Sequence, residues 1–339
     1  MQSIMLIQKN EMKKQTLYEL FVELQQRENP LEGYYAAASL PFNKRYKIGI
    51  SEDGYPMFFV PSTSTTFSVD INMEMITVLF GRVCKIHDTS CSEGIYTIIT
   101  LKTGDVDIQK YFVDIVCIIL EQLPANYSDA TLAQEIQKLV NLFSQLSQPP
   151  RKTIQGLWAE LLLIEQSTDP DYLIRSWHVD VHDKYDFNDG KDKLEVKSTI
   201  RPQKIHSFSI EQLNPNNNSN LIIASINTSY VGQGVNIFEL RDRICSKIQD
   251  IKTRYHLNEV ILKTIGNDIS RTSEIYFDYQ MAVDSIAYYD ARDIPCICMD
   301  DVPIGVSNVH FDSDLSGVSS VDSLKISDYQ SALFNCICI

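Results

Sequence analysis

Apolar and polar positions follow two rhythms along this chain, and the change from one to the other marks out its elements. Leu17, Leu20, Phe21 and Leu24 recur at helical spacing and predict an opening amphipathic helix over about residues 8–26. Strand-like runs follow. RYKIGI and PMFFV flank Ser51-Glu52-Asp53-Gly54, whose Asp-Gly pair suits a hairpin turn, and EMITVLFGRV with GIYTIITL reads as a second pair. From about Val106 to Leu123 the chain is apolar nearly all round, which predicts a buried helix. Leu132, Ile136, Leu139, Val140 and Phe143 predict another over residues 129–146. QPPRK ends it, because proline restricts the residue before it and cannot continue a helix. The chain is therefore expected to divide near Pro149-Pro150, with an N-terminal helix-plus-β domain over 1–148 and a second domain over 151–339.

The second half opens with GLWAELLLIEQ, a helix on which Glu160 is a carboxylate among apolar neighbours. IRSWHVDV, KYDF, KLEVKSTI and HSFSIEQL are short runs rich in β-branched or aromatic residues and separated by turn residues, so they predict strands. A polar loop, NPNNNSN, leads to a buried-looking strand, LIIASINTS, and then to helical patterns near 235–251 and 257–265. EIYFDYQMAVDSIAYYD and IPCICMDDVP are expected as strands or edge elements. Without internal repeats or heptads, this order of elements predicts an α/β fold of the α+β kind, a mixed sheet covered by helices.

At 339 residues, two units can each bury a core. The net charge of −14 excludes a protein that coats DNA through a general basic surface, since such affinity comes from many lysine and arginine contacts to phosphate. Any nucleic-acid contact is expected to be local or shared with a partner. The first residues lack an apolar stretch of signal-peptide length, and FVDIVCIIL is interrupted by Asp114 and too short to span a bilayer, so a cytoplasmic location and no membrane are expected. The eight cysteines follow no disulfide-scaffold spacing. Cys296/Cys298 and Cys336/Cys338 alternate as strand positions do, which favours buried thiols over the C-x₂₋₄-C knuckle of a zinc site. There is no P-loop, G-x-S-x-G, H-E-x-x-H or G-x-G-x-x-G.

One stretch, YDFNDGKDKLEVKST, carries chemistry. In a strand Glu195 and Lys197 share a face, and Asp186, at the end of a preceding short strand, reaches it if NDGKD folds the two strands together. Carboxylate oxygens suit Mg²⁺, which can lower the pKa of a bound water and neutralise a phosphoryl group under attack. Lys197 would position the water and offset the developing charge. An isolated E-x-K triplet is also what an amphipathic edge strand carries, and Asp186 with Lys197 would serve as a surface ion pair worth about 0–1 kcal/mol. Glu160 is harder to read that way, since a buried charge must be paired or metal-bound.

Asp186 followed by Glu195-Val196-Lys197 resembles the signature of the PD-(D/E)XK nuclease superfamily, whose fold is the core of type II restriction endonucleases. GLWAEL before it and HSFSIEQL after it are similar to a prokaryotic PD-(D/E)XK family of unassigned function that accompanies DNA methylases and ATPases in restriction or phage-defence clusters. The likeness is strong from Gly156 to Leu213, rests on strand pattern alone from there to Leu315, and over the first 150 residues is only a general helix-then-strands layout. The proline of the motif's name is absent, Tyr185 standing before Asp186. The resemblance implies a restriction-endonuclease-like C-terminal domain that cuts DNA with Mg²⁺, with Mn²⁺ able to substitute. It makes Glu160, Asp186 and Glu195 the metal ligands and Lys197 the catalytic lysine, with Gln212 orienting water or touching phosphate. Lys184, Lys193, Ser198, Arg201, Lys204 and His206 are then the candidate nucleic-acid contacts, and with Lys191 the basic ones form a local rim against the acidic background. A lone histidine in KIHSFSI also reads as a strand residue with a satisfied hydrogen bond. An ATPase or methylase partner and a homodimer are implied by analogy. A nuclease-fold subunit that binds DNA or scaffolds a complex without cutting, and an RNA-cleaving effector, remain as alternatives.

Overall fold

The computed structural model describes the chain apart from residues 1–16, 27–31, 149, 151, 179–182, 216–218, 323–325, 327–328 and 338–339. The chain falls into two units, Met1–Ser144 and Gln145–Ile339. Among the described residues no helix is long and apolar enough to cross a membrane.

In the first unit, α1 (Leu17–Gln25) is the described part of the expected opening helix; residues 8–16 lie outside the described residues. β1 (Tyr35–Ser39), β2 (Lys47–Ile50), β3 (Pro56–Pro61), β4 (Ile71–Asn72), β5 (Ile76–His87) and β6 (Cys91–Leu101) then form one sheet in the order β1-β2-β3-β6-β5-β4. β1 also pairs in parallel with β5, Tyr35 opposite Ile86, and so joins β1, β2, β3, β6 and β5 into a closed ring. That second partner explains a strand with the sequence YAAAS, whose alanines have little strand preference of their own. β5 and β6 shift register between Leu79 and Arg82, where Gly81 has φ 63°. A Cβ at Gly81 would lie 2.6 Å from the Ser64 carbonyl oxygen, so a side chain is barred there on both counts. α2 (Val106–Gln122), capped by Asp105, sets Phe112 edge-on to Phe58 and to Phe143 of α3 (Asp129–Ser144).

The second unit begins with α4 (Ile154–Gln166), α5 (Pro170–Arg175), β7 (Phe187–Asn188), β8 (Lys193–Thr199), β9 (Ile205–Ser209), α6 (Ile210–Leu213) and β10 (Leu221–Asn227). It continues with β11 (Tyr230–Val231), α7 (Ile237–Lys247), α8 (Ile251–Ile265), α9 (Ile269–Thr272), β12 (Tyr276–Phe277), α10 (Tyr279–Ser285), β13 (Ala287–Asp290), β14 (His310–Asp314) and α11 (Ala332–Asn335). The central sheet is mixed, in the order β13-β10-β8-β7, with β8 and β10 parallel and both outer pairings antiparallel. α4 lies on the face of β8 that carries Ser198, which Gln155 reaches with a 3.2 Å hydrogen bond. Trp158 pins the same helix: its ring lies 4.8 Å from that of Phe277, and its buried Nε1 donates to the Val235 carbonyl. The β9–β14 pair covers the opposite face, where Phe208, Leu221, Ile223 and Tyr289 share one core cluster. This is the mixed α/β architecture that the order of elements predicts.

Three local readings are corrected. Arg175 belongs to a helix, not a strand, because Asp169 caps it and Pro170 sits in its first turn. Within EIYFDYQMAVDSIAYYD two strand fragments enclose α10, capped by Asp278. IPCICMDDVP forms no strand: it ends in a 3₁₀ turn over Met299–Asp301, and Cys296 and Cys298 are exposed, not buried. Cys336 is buried, and Cys338 lies outside the described residues.

His206 is corrected as well. It is only 4% exposed and bonds through Nε2 to Ser225 Oγ at 2.8 Å, so it is an interior strand residue and not a nucleic-acid contact. Burial, with Lys197 and Lys204 adding repulsion, depresses its pKa to about 4. The unfolded chain, with histidine near its ordinary value of about 6.5, binds this proton first as the pH falls. The associated stability is complete above about pH 6.5 and is lost towards pH 4, about 2–4 kcal/mol in all. Urea unfolding at pH 7 and pH 4.5 is expected to show this loss in wild type and a smaller one in His206→Gln. Trp158→Ala is expected to destabilise the second unit by about 3–5 kcal/mol, followed by circular dichroism in urea, since its ring fills the space between α4 and Phe277.

Candidate active site

β10 pairs with β8 along its whole length, but on the other edge β7 reaches only Leu194 and Lys193. Beyond that point the Val196 N–H has no strand partner. The carboxylate of Asp186, one residue ahead of β7, replaces it: Oδ2 accepts from Val196 N at 2.8 Å, and Glu195 Oε2 accepts from Asp186 N at 3.2 Å. Asp186 thus sits in the plane of the sheet at its open edge, between the groups of the two faces.

On the β9 face, the Lys197 ammonium lies 2.9 Å from Glu195 Oε1 and 5.0 Å from the centre of the Phe208 ring. Gln212 closes this group. Its Nε2 donates to Glu195 Oε1 at 2.7 Å and its Oε1 accepts from Lys197 at 3.2 Å. The amide is held because Ser209 and Gln212 form the capping box of α6, a reciprocal pairing that fixes both side chains. HSFSIEQL is therefore a strand that turns into a short helix, and the turn delivers the glutamine.

On the α4 face, Glu160 is held from two directions. Oε2 accepts from the Trp177 indole at 2.7 Å and Oε1 from Lys152 Nζ at 2.7 Å. The same ammonium lies 2.5 Å from Asp186 Oδ1. Glu160, Asp186 and Glu195 are 3%, 8% and 4% exposed, so three buried carboxylates face two ammonium groups. Burial, and next the charge of Asp186, push the Glu160 and Glu195 carboxyls above the usual range; Lys152 opposes this at Glu160 and Lys197 at Glu195. Burial works against the charge of Lys152, but Asp186 and Glu160 outweigh it and hold its pKa above the ordinary lysine value.

All four expected groups, Glu160, Asp186, Glu195 and Lys197, border one cleft of about 390 Å³, and Gln212 and Lys184 line it too. Sequence reasoning missed Lys152 and His178. Lys152 lies in the breaker stretch QPPRK, and the one signal for it was that a buried Glu160 needs a counter-charge nearby. His178 bonds Asp183 through Nδ1 at 2.7 Å, and its buried Nε2 meets no hydrogen-bond partner among the described residues. Burial lowers its pKa in spite of Asp183.

The other expected contacts scatter. Lys193 is buried and donates to the Lys191 carbonyl and Ser219, so its ammonium is withdrawn from any phosphate; this corrects its assignment. Ser198 accepts from Gln155. Arg201 and Lys204 line a separate depression with Asn227 and Thr228, and Lys204 donates there to the Ser285 carbonyl.

As the side chains stand, no group of three or more His, Cys, Asp or Glu among the described residues is arranged to hold a metal ion. The expected set of three ligands is split by Asp186, with Glu160 on one side and Glu195 on the other. The donor chemistry nevertheless fits a hard divalent cation. The oxygens are all carboxylate, they carry excess buried negative charge, and Glu160 and Asp186 already meet at one cation, the Lys152 ammonium.

No curated protein and no solved structure matches the chain. Residues 23–316 match the family described as "Putative PD-(D/E)XK family member, (DUF4420)". The match spans most of the chain, runs through both units and includes every residue of the cleft. The chain belongs to this PD-(D/E)XK family.

Proposed function

We propose that the protein is a Mg²⁺-dependent nuclease that hydrolyses phosphodiester bonds of DNA, with Mn²⁺ able to substitute, as part of a prokaryotic restriction or phage-defence system. The observation that supports this most is the open edge of β8, where Asp186, Glu195 and Lys197 meet with Gln212 in one cleft. Asp186 would hold the metal, with Glu160 and Glu195 on either side as its further oxygen donors. The metal would neutralise phosphoryl charge and make a bound water more acidic.

The chain's own groups have separate tasks. Glu195, raised by burial, accepts a proton more readily than an ordinary carboxylate and lies next to the lysine. Lys197, held by Glu195, Gln212 and the Phe208 ring, is pre-oriented to meet charge that develops as water attacks. Gln212 bridges Glu195 and Lys197 and so holds the two side chains together. These groups address the phosphate and not the base, so the choice of DNA over RNA rests on the resemblance to restriction endonucleases.

Lys197→Ala is expected to fold, to bind nucleic acid as wild type does, and to cleave about 10²–10³ times more slowly in Mg²⁺, because the lost interaction belongs to the transition state. Cleavage of duplex DNA and of RNA by both proteins, with circular dichroism as the folding control, checks this. Equal rates would sink the assignment and favour a subunit that binds without cutting. With a net charge of −14, the isolated chain is also expected to bind duplex DNA weakly and with a steep salt dependence, a partner such as an ATPase or methylase supplying specificity. Fluorescence anisotropy across roughly 50–200 mM salt measures the slope.

A further inference from the structure

Lys152 is the one ammonium at the Glu160–Asp186 pair among the described residues, since Lys197 is committed to Glu195 and Gln212 on the far side of Asp186. Its Nζ lies 2.7 Å from Glu160 Oε1 and 2.5 Å from Asp186 Oδ1, so it occupies the point at which the two carboxylates converge. A divalent ion bound by both oxygens would need that same point, at about 2.0–2.6 Å from each oxygen depending on the metal. Ammonium and metal cannot share it.

The attachment of Lys152 allows it to leave. It stands just before the Thr153 cap of α4 and not on the helix, and its side chain is 40% exposed at the cleft while its partners are almost fully buried. A lysine ammonium is a compact charge on a flexible stem, unlike the planar fork of arginine, so it resembles a small cation both in what it satisfies and in how readily it is exchanged. Glu160 has a second anchor in the Trp177 indole and Asp186 has one in the Val196 N–H, so both carboxylates keep their places when the lysine withdraws.

From this geometry we infer that Lys152 is a tethered counter-ion, which holds the Glu160–Asp186 pair together until a divalent cation displaces it. The inference rests on the metal-dependent reading of the cleft, and it adds that the chain itself competes with the metal. The competition sets the cation concentration at which the site fills, and displacement releases an ammonium at the mouth of the cleft.

Mn²⁺ binding without nucleic acid tests it, measured by calorimetry on wild type, Lys152→Met and an Asp186→Asn control that accounts for ions held elsewhere on this acidic chain. Lys152→Met is expected to bind Mn²⁺ at least about tenfold more tightly than wild type, a difference of about 1.4 kcal/mol. Equal or weaker binding overturns the inference. A second measurement uses wild type alone: reductive methylation mapped by mass spectrometry is expected to modify Lys152 more in saturating Mn²⁺ than without it. Unchanged or reduced labelling overturns the inference even if Lys152→Met does not fold. If wild type binds Mn²⁺ but either result fails, the metal-dependent reading survives and only the role of Lys152 falls; if neither protein binds Mn²⁺ above the control, both fall.

Discussion

A strand edge that stops one pair too early governs the second unit. β7 covers only the first part of β8, and the Val196 N–H beyond it would be left without a partner in a place where water is scarce. An unsatisfied buried donor costs about 1–3 kcal/mol, so a side-chain acceptor at that position is strongly favoured. Asp186 is that acceptor. Taking up the bond fixes its carboxylate in the plane of the sheet, where groups on both faces can approach it. The segment that leads into β7 therefore provides both the gap in the sheet and the group that fills it.

The electrostatics follow from this placement. With Asp186 fixed at the edge, Glu160 arrives from the helix face and Glu195 from the strand face, and each feels the charge of Asp186 through a poorly solvated space. Carboxylates packed in this way need cations, and the chain supplies one to each side, Lys152 to the helix side and Lys197 to the strand side. The two lysines differ in consequence. Lys197 is locked by a capped glutamine and an aromatic ring, while Lys152 hangs from the approach to a helix. The locked one suits a constant task, and the tethered one suits exchange.

The strong negative charge of the whole chain and the few basic residues near the cleft also bear on how it meets a polyanion. Lys184 borders the cleft and Arg201 lies in a separate depression, while Lys193 and His206 are turned inward. The positive rim read from the sequence is thus thinner in three dimensions. The family match runs through the closed ring of the first unit as well as the cleft of the second, so the ring belongs to the family's shared chain and is not an appended module.

Much of this was legible in the residues. The helical period of Leu132 to Phe143, the alternation of LEVKST and the Asp186–Glu195–Lys197 spacing each depend on contacts a few residues apart, and local geometry decides them. The face shared by Glu195 and Lys197 needed only the strand period. What lay beyond reach were choices made by distant partners. YAAAS is a strand because β5 pairs with its far side, and Arg175 is helical because a cap and a proline outweigh the strand-like residues that follow. Cys296 and Cys298 alternate like strand residues but have no strand to pair with. Lys152 has no periodicity at all; its place is set by Glu160 eight residues on and Asp186 thirty-four residues on, and only folding brings those two carboxylates together. The sequence determined which residue types could do chemistry, because spacing fixes side-chain direction within one element. The tertiary structure alone decided which charges balance them, because charge compensation acts through space and is blind to distance along the chain.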